Sequence, residues 1–347
     1  MFSFKVDIVD FGKIVPFLGS YLDIIYKDRS VILCSEGSQT YVQCMCPAVG
    51  YGETGKVNVR LDTSLFCNMV TEGKVEVEVI DTEVVYSFYT QSDSLLYKTT
   101  VPRQVSYIDL EHKSNLFSRA RDSKSYDIAG YNSLIRLCSR LKTTFVSNEG
   151  FCYSYYNKNY IFKKSELPTF CVDSELLGKC LNVSSTFTPV GDYLMFKESS
   201  VAVILQKQKV PLVCDIPYIV KTKARRHVKC NLSNLTALLM RIKLKQEFNI
   251  KLNLDASLCM ITSDNNRFEV PVEVLEDSKK SADLESLISN LSNGLDSVPS
   301  EKNDSTLSLP YWFIKVTSRV TNVDLFLTSR FTILKFNGIN VTIGGSS

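Results

Sequence analysis

The sequence predicts an α+β protein of three tandem units, each with two helices packed on antiparallel sheets. A strand–turn–strand pattern recurs three times, as VILCSEGSQTYVQCM (31–45), TTFVSNEGFCYSYY (143–156) and LCMITSDNNRFEVPVEV (258–274). An amphipathic, helix-like segment precedes each copy, and helix-capping aspartates recur at an interval of about 110 residues, the ordinary size of a small domain. A chain of 347 residues, 44% hydrophobic and 22% charged, has the composition and length for two or three soluble cores.

In the first unit, VDFGKIVPFLGSYL places Ile14, Phe17, Leu18 and Tyr21 on one apolar stripe, and Pro16 makes the helix short or kinked. After the hairpin, LDTSLFCNMV puts Asp62 at an N-cap with Leu65, Phe66, Met69 and Val70 inward. The alternating run VEVEVIDTEVVYSFYT then supplies a second strand pair. The connector EHKSNLFSRARDSKS leads to YNSLIRLCSRL, where Leu134, Ile135, Leu137, Cys138 and Leu141 share a face, with Arg136 and Arg140 opposite. VDSELLGKCL repeats the capped helix, with Asp173 as cap and Leu176, Leu177, Cys180 and Leu181 inward, before the strands of STFTPVGDYLMFKESSVAVILQ.

A second connector, LVCDIPYIVKTKARRH, opens the third unit. In LSNLTALLMRIKLKQ, Leu232, Leu235, Leu238, Leu239 and Ile242 form the buried stripe, and Arg241 and Lys245 the polar one. SADLESLISNL reads as the second helix and YWFIKVTSRVTNVDLFLTSRFTILKF as strands. The expected domains are 1–110, 111–222 and 223–347, with a polar, flexible insertion at about 277–306.

Residues 1–110 carry 9 Lys and Arg against 14 Asp and Glu, whereas 111–226 carry 18 against 10. The net charge of +3 excludes a strongly basic nucleic-acid glove but leaves room for one locally basic surface. The 11 cysteines form no Cys-x-x-Cys pair, and Cys44 and Cys46 alternate on one strand face like small core hydrophobes. That usage implies a reducing, cytosol-like compartment. The N-terminal residues MFSFKVDIVDFGKIVPF have neither signal-peptide nor anchor character. The two histidines, His112 and His227, fall in the connectors, and no nucleophile, phosphate-loop or zinc motif is present. These features favour a non-enzymatic protein without a cofactor or metal.

Three tandem domains of this kind resemble the DNA polymerase sliding clamps of bacterial type. Clamps of that family carry a Thr-Asp-Gly-His-Arg-Leu-like turn between two strands of each domain. The matching places here are Ser35-Glu36-Gly37-Ser38, Asn148-Glu149-Gly150-Phe151 and Ser263-Asp264-Asn265-Asn266-Arg267-Phe268. Asp62 and Asp173 also lie where the family's second helix begins. The segment 277–306 and the ending INVTIGGSS depart from the family pattern. The resemblance implies a cytoplasmic DNA replication protein of bacterial or phage-infected cells, whose chain forms half of a six-domain homodimeric ring. Duplex DNA, a DNA polymerase and a clamp loader would be its partners.

By the same resemblance, Arg136, Arg140, Lys179, Arg241 and Lys245 would face the DNA, with Lys13, Lys27 and Arg29 added from the first unit. A partner-peptide pocket would involve Gly150, Tyr153, Pro211, Ile216, Tyr218, Val341 and Ile343. Charges in such patterns also occur on ordinary solvated helix faces, and each pocket residue also suits plain core packing. Two other functions share the repeat: a structural virion or tail-like protein of tandem β-rich domains, and an enzyme with an unrecognised site.

Overall fold

The computed structural model describes residues 2–8, 10–27, 29–51, 57–64, 73–105, 108, 110–211, 214–241, 249–262, 266–278, 282–283, 306–309, 312, 322–328 and 330–344. In the first third, β1 (Phe2–Ile8) leads through the one-turn helix α1 (Phe11–Ile14) to β2 (Tyr21–Lys27), β3 (Ser30–Glu36), β4 (Thr40–Tyr51) and β5 (Val57–Asp62). The strands β6 (Gly73–Val79), β7 (Glu83–Tyr89) and β8 (Leu95–Pro102) complete it. The second third opens with α2 (Leu110–Arg121), β9 (Tyr126–Asp127) and α3 (Asn132–Arg140). It continues with β10 (Thr144–Asn148), β11 (Phe151–Tyr156), β12 (Asn159–Lys164), β13 (Phe170–Asp173) and α4 (Ser174–Cys180). It closes with β14 (Thr186–Val190), β15 (Tyr193–Glu198) and β16 (Val201–Gln206). In the last third come α5 (Ile216–Lys221), β17 (Lys223–Ala224), β18 (Arg226–Asn231), α6 (Ser233–Arg241), β19 (Asn249–Asn253), β20 (Leu258–Thr262) and β21 (Arg267–Pro271). The chain then runs through β22 (Glu273–Ser278), β23 (Ala282–Asp283), β24 (Thr306–Leu309), β25 (Asn322–Leu327), β26 (Phe331–Phe336) and β27 (Ile339–Gly344). Among the described residues no helix is long and apolar enough to cross a membrane.

The strand pairings repeat with the sequence. The strand after the helix that precedes each repeated hairpin (α1, α3 and α6) lies between two neighbours in every third: β2 between β3 and β5, β10 between β11 and β13, β19 between β20 and β24. Each third ends in an antiparallel meander, β6-β7-β8, β14-β15-β16 and β25-β26-β27. Local chemistry sets these hairpins. Strand β6, GKVEVEV, alternates buried valine with a polar residue, the period-2 signature of a strand with one wet face. The β10–β11 turn needs two positive φ angles, which Glu149 (51°) and Gly150 (80°) supply, so the hairpin closes in the twist its strands prefer.

The chain forms two compact units, Met1–Asn132 with Leu176–Gln208, and Ser133–Glu175 with Lys209–Ser347. In the first, β4 pairs with β16 so that Val42 faces Val203 and Tyr41 faces Ile204 within a 12-stranded sheet. In the second, β12 pairs with β27 through Ile161↔Val341 and Phe162↔Asn340 within a nine-stranded sheet. Phe4, Tyr86 and Phe88 fill the first core, and Phe145, Phe162, Phe170 and Phe326 the second. Each such side chain contributes about 1.5–3 kcal/mol by leaving water.

Several expectations change. Pro16 sits in a three-residue 3-10 turn after α1, so the first helix ends early and Tyr21 begins β2 at 45% exposure rather than extending an apolar stripe. On α6, Leu238 and Leu239 are only half-buried, and Thr236 joins Leu232 and Leu235 inside by donating its hydroxyl to the Ser233 carbonyl. Leu141, Leu176 and Leu181 are likewise half-buried. The polar connector after residue 110 is the 12-residue helix α2, which carries His112, while His227 lies in β18 stacked on Phe326. Asp277 and Ser278 belong to β22 rather than to an insertion, and the Arg226 guanidinium holds Asp277 at 2.6 and 3.0 Å and Asp255 at 3.0 Å. Ala282 and Asp283 form a strand against β17, not a helix. The remainder of SADLESLISNL, most of the helix after Asp62 and the stretch 313–321 lie outside the described residues. At the start of that first-unit helix, Asp62 accepts the Ser64 N–H at 2.8 Å, as a cap should.

Asp23, 1% exposed on β2, receives a two-pronged contact from Arg60 on β5 at 2.9 and 3.1 Å. Arg60→Met should cost about 3 kcal/mol in urea unfolding, because it strands a buried carboxylate. Adding Asp23→Leu should recover most of that loss. Equal stability of the two variants would show that the pair carries no such burden.

Candidate nucleic-acid interface and partner groove

The amphipathic spacing of α3 does what its sequence implies. Leu134, Ile135, Leu137 and Cys138 are buried, and Arg136 and Arg140 stand exposed one turn apart on the other face. Arg241 is exposed at the end of α6, Lys179 is half-exposed at the end of α4, and Lys13 is half-exposed at the end of α1, 3.4 Å from Asp10. Lys13, Arg140 and Arg241 therefore occupy the same place, the last turn of the helix that precedes each repeated hairpin. A cation there also complements the partial negative charge of the helix C-terminus, which stabilises by about 0.3–1 kcal/mol. Helix electrostatics and an anion-facing surface thus favour the same residues. Arg29 is exposed in the β2–β3 turn at φ 62°, on a hairpin rather than a helix. Lys27 lies in β2, and Lys245 lies outside the described residues.

In the second unit, α5 lies on an apolar patch of the nine-stranded sheet. Ile216, Ile219 and Val220 pack with Val146, Tyr153, Phe162, Cys171, Phe326 and Ile333. A half-buried rim of Phe151, Tyr160, Val210, Cys214 and Phe331 surrounds them. Burial raises the pKa of the Tyr153 phenol, which stays protonated near neutral pH. Tyr218 projects from α5 at 59% exposure, and its phenol oxygen accepts from Arg330 Nη1 at 3.1 Å. Gly150 is exposed in the turn beside Phe151, and Pro211 is exposed beside Val210.

Of the seven expected pocket residues, Tyr153 and Ile216 meet in this cluster. Val341 and Ile343 do not line it. Residues opposite one another in an antiparallel register share a face. Phe162 opposes Asn340 and Ile333 opposes Thr342, so Asn340 and Thr342 take the cluster's face while Val341 and Ile343 are buried on the other. The sequence did carry a signal for the rim: Phe151 and Tyr153, and Tyr160 and Phe162, stand two apart on their strands and so share a face.

Two sheet ends complete the picture. β8 ends the 12-stranded sheet and exposes Leu95 (56%), Leu96 (62%) and Tyr97 (43%). β21 ends the four-stranded sheet β21-β20-β19-β24. The start of β8 is pinned by Asp93, whose carboxylate takes Lys5 at 2.6 Å and Lys74 at 2.8 Å.

No protein-family profile and no curated protein matches the sequence. Solved structures do match over the whole length. A putative DNA polymerase III β subunit from Eubacterium rectale superposes with a TM-score of 0.70 at 10% identity, covering 99% of this chain and 98% of that one. The DNA polymerase III β chain of Streptococcus pneumoniae gives 0.69 at 11% identity, covering 100% of both chains. The DNA polymerase sliding clamp of Bacillus subtilis gives 0.66 at 10%, covering 100% and 99%. The chain thus has the β-subunit fold, and its α+β architecture of antiparallel sheets agrees with the sequence-based expectation.

The two lysines hold the Asp93 carboxyl down at about 2, against 3.8 for a free carboxyl. A depressed carboxyl pKa stabilises the fold above the unfolded value, and that contribution is lost as pH falls through the folded value. Side-chain NMR should show Asp93 titrating near 2, and amide exchange in β8 should quicken between about pH 4 and 2. A titration near 4, or equal acid sensitivity in Asp93→Asn, would contradict the pairing.

Proposed function

We propose that this chain, which has the fold of DNA polymerase III β subunits, is a DNA sliding clamp. It is a non-enzymatic processivity factor that encircles duplex DNA and tethers a replicative polymerase in the cytoplasm of a bacterial or phage-infected cell. Its domains are 1–110, 111–222 and 223–347. The observation that carries the reading is the rule obeyed at both internal joints. The third strand after the helix that precedes the repeated hairpin of one domain pairs antiparallel with the last strand of the next: β4 with β16, and β12 with β27. Among the described residues the same two roles remain open in β21 of the third domain and β8 of the first. Pairing β21 of one copy with β8 of another, twice, closes a head-to-tail ring of six domains.

Arg136, Arg140, Lys179 and Arg241, with Lys13, Lys27, Arg29 and Lys245, supply the surface that faces the duplex. Such contacts go to phosphates and carry no base information, and modest charge lets the ring move while enclosure retains it. The rim of Phe151, Tyr160 and Phe331 around Tyr153, Ile216 and Tyr218, with Gly150 and Pro211 at its edge, receives the peptide anchors of polymerase and clamp loader.

Retention on circular against linear duplex tests enclosure: the loaded protein should leave linear DNA by its free ends and stay on circles. Equal retention on both would favour a surface-binding or structural protein instead. Light scattering should give a dimer, and Leu96→Asp with Tyr97→Asp should give a monomer. Arg136→Glu with Arg140→Glu should keep the fold, costing no more than about 2 kcal/mol, most of it from reversing the charge at the end of α3, and should cut retention on circles roughly tenfold. Unchanged retention in that variant would remove α3 from the DNA-facing surface.

A further inference from the structure

At the joint between the second and third domains, the apolar patch of the sheet is covered by α5, which has six residues. The corresponding patch in the first unit is made by Ile25, Cys34, Tyr41, Val190, Met195 and Ile204, and α2 covers it with twice that length. Leu116 is buried there, and Phe117 and Ala120 pack alongside. Lys113, 9% exposed, fastens the helix by donating to Glu36 Oε1 at 2.7 Å while its ammonium lies 4.9 Å from the Tyr41 ring centre. Beyond the C-terminal end of α2 the cover stops and leaves a cavity of about 410 Å³.

The cavity has two kinds of wall. Phe117, Ala120 and Met195 give it an apolar floor, and Arg121 and Lys197, both exposed, stand at its mouth. Hydroxyls complete the lining: Ser125 and Thr188 bond to each other at 2.8 Å, with Thr186 and Ser199 close by. None of the lining residues is acidic. Arg119, on the same last turn of α2 as Arg121, lies outside the lining, its Nη2 3.7 Å from where a side chain on Gly191 would begin. The carbonyls ending α2 repel anions, and Arg119 and Arg121 in that same last turn oppose them.

We propose that this cavity is a second docking site, separate from the α5 groove, for a short peptide of a protein partner that presents one apolar side chain among carboxylates. The volume lies within the span of ligand pockets, about 300–1,000 Å³, and the apolar floor is small beside the polar wall, which leaves room for one apolar side chain only. Charge complementarity selects the flanking residues: two cations with no competing carboxylate in the wall favour Asp and Glu on the incoming chain. An apolar floor under the cations fits an inserted side chain better than a phosphate backbone, which would leave that floor bare.

The test uses the full chain without DNA or polymerase, so it stands apart from the ring reading. Four fluorescein-labelled hexapeptides, Glu-Asp-X-Glu-Asp-Asp with X as Leu, Ile, Phe or Trp, are titrated by anisotropy. At least one should bind saturably, and its counterpart with every acid replaced by its amide should bind at least about tenfold more weakly. Arg121→Glu with Lys197→Glu, and separately Thr188→Trp, should each weaken binding by a similar factor, while Phe331→Asp in the α5 groove should not. The proposal is overturned if none of the four binds, if the amide counterpart binds equally, or if Phe331→Asp abolishes binding while the Arg121 and Lys197 changes do not. Displacement by inorganic phosphate or a short DNA duplex at the concentration where the peptide itself competes would overturn it as well, by showing a general anion site.

Discussion

Backbone pairing between the outer strands of successive thirds is the constraint on which the rest of this structure depends. A strand edge leaves a row of N–H and C=O groups that must find partners or water. β4 meets that demand with β16, and β12 meets it with β27, so each sheet runs without a break from one third into the next. The compact units consequently do not follow the sequence repeat. The first takes in all of the first third and part of the second, and the other takes the remainder. Where two thirds share a sheet they also share the apolar patch on it, so a cluster such as Tyr153, Phe162, Phe326 and Ile333 exists only because the joint does.

That shared patch explains why the connecting segments are helical. A sheet face crossing a joint is apolar, and whatever chain links the two thirds lies close enough to cover it. α2 and α5 are two solutions to one requirement, with different lengths and different degrees of cover. Lys113 shows how firm the longer one is. Its ammonium is nearly buried yet keeps a carboxylate and an aromatic ring as partners, which is the condition for tolerating a charge away from water.

Much of this fold was legible in the sequence because hairpins and amphipathic helices announce themselves locally. Alternation in β6, the Asn-Glu-Gly turn after β10 and the 3.6-residue stripe of α3 each specify an element within a few residues. What stayed hidden was set at longer range. α2 reads as a polar connector, since LEHKSNLFSRAR sets Leu116, Phe117 and Ala120 among polar residues, and they pack on a surface that the sequence does not display. The assignment of Val341 and Ile343 to the pocket shows a different limit. Apolar character marks both faces of a strand buried on each side, and a shift of one residue reverses the face. Only the pairing of Phe162 with Asn340 decides it, and that pairing joins residues 178 positions apart.

The same long-range logic bears on β8 and β21, two of the strands that end sheets among the described residues. A strand that presents leucine, leucine and tyrosine in succession at a sheet edge invites association with another chain. β8 carries one lysine and a terminal proline as deterrents, and its start is tied to β1 and β6 by the Lys5–Asp93–Lys74 cluster. An apolar edge exposed in this way is a liability for a protein that works alone and an asset for one that pairs with a fixed partner. The complementary open strand, β21, belongs to the other end of the same chain. Two copies can satisfy both edges at once, and a single pairing would leave two edges open. On the head-to-tail pairing proposed above, closure rather than a strong single interface is what retains the second copy.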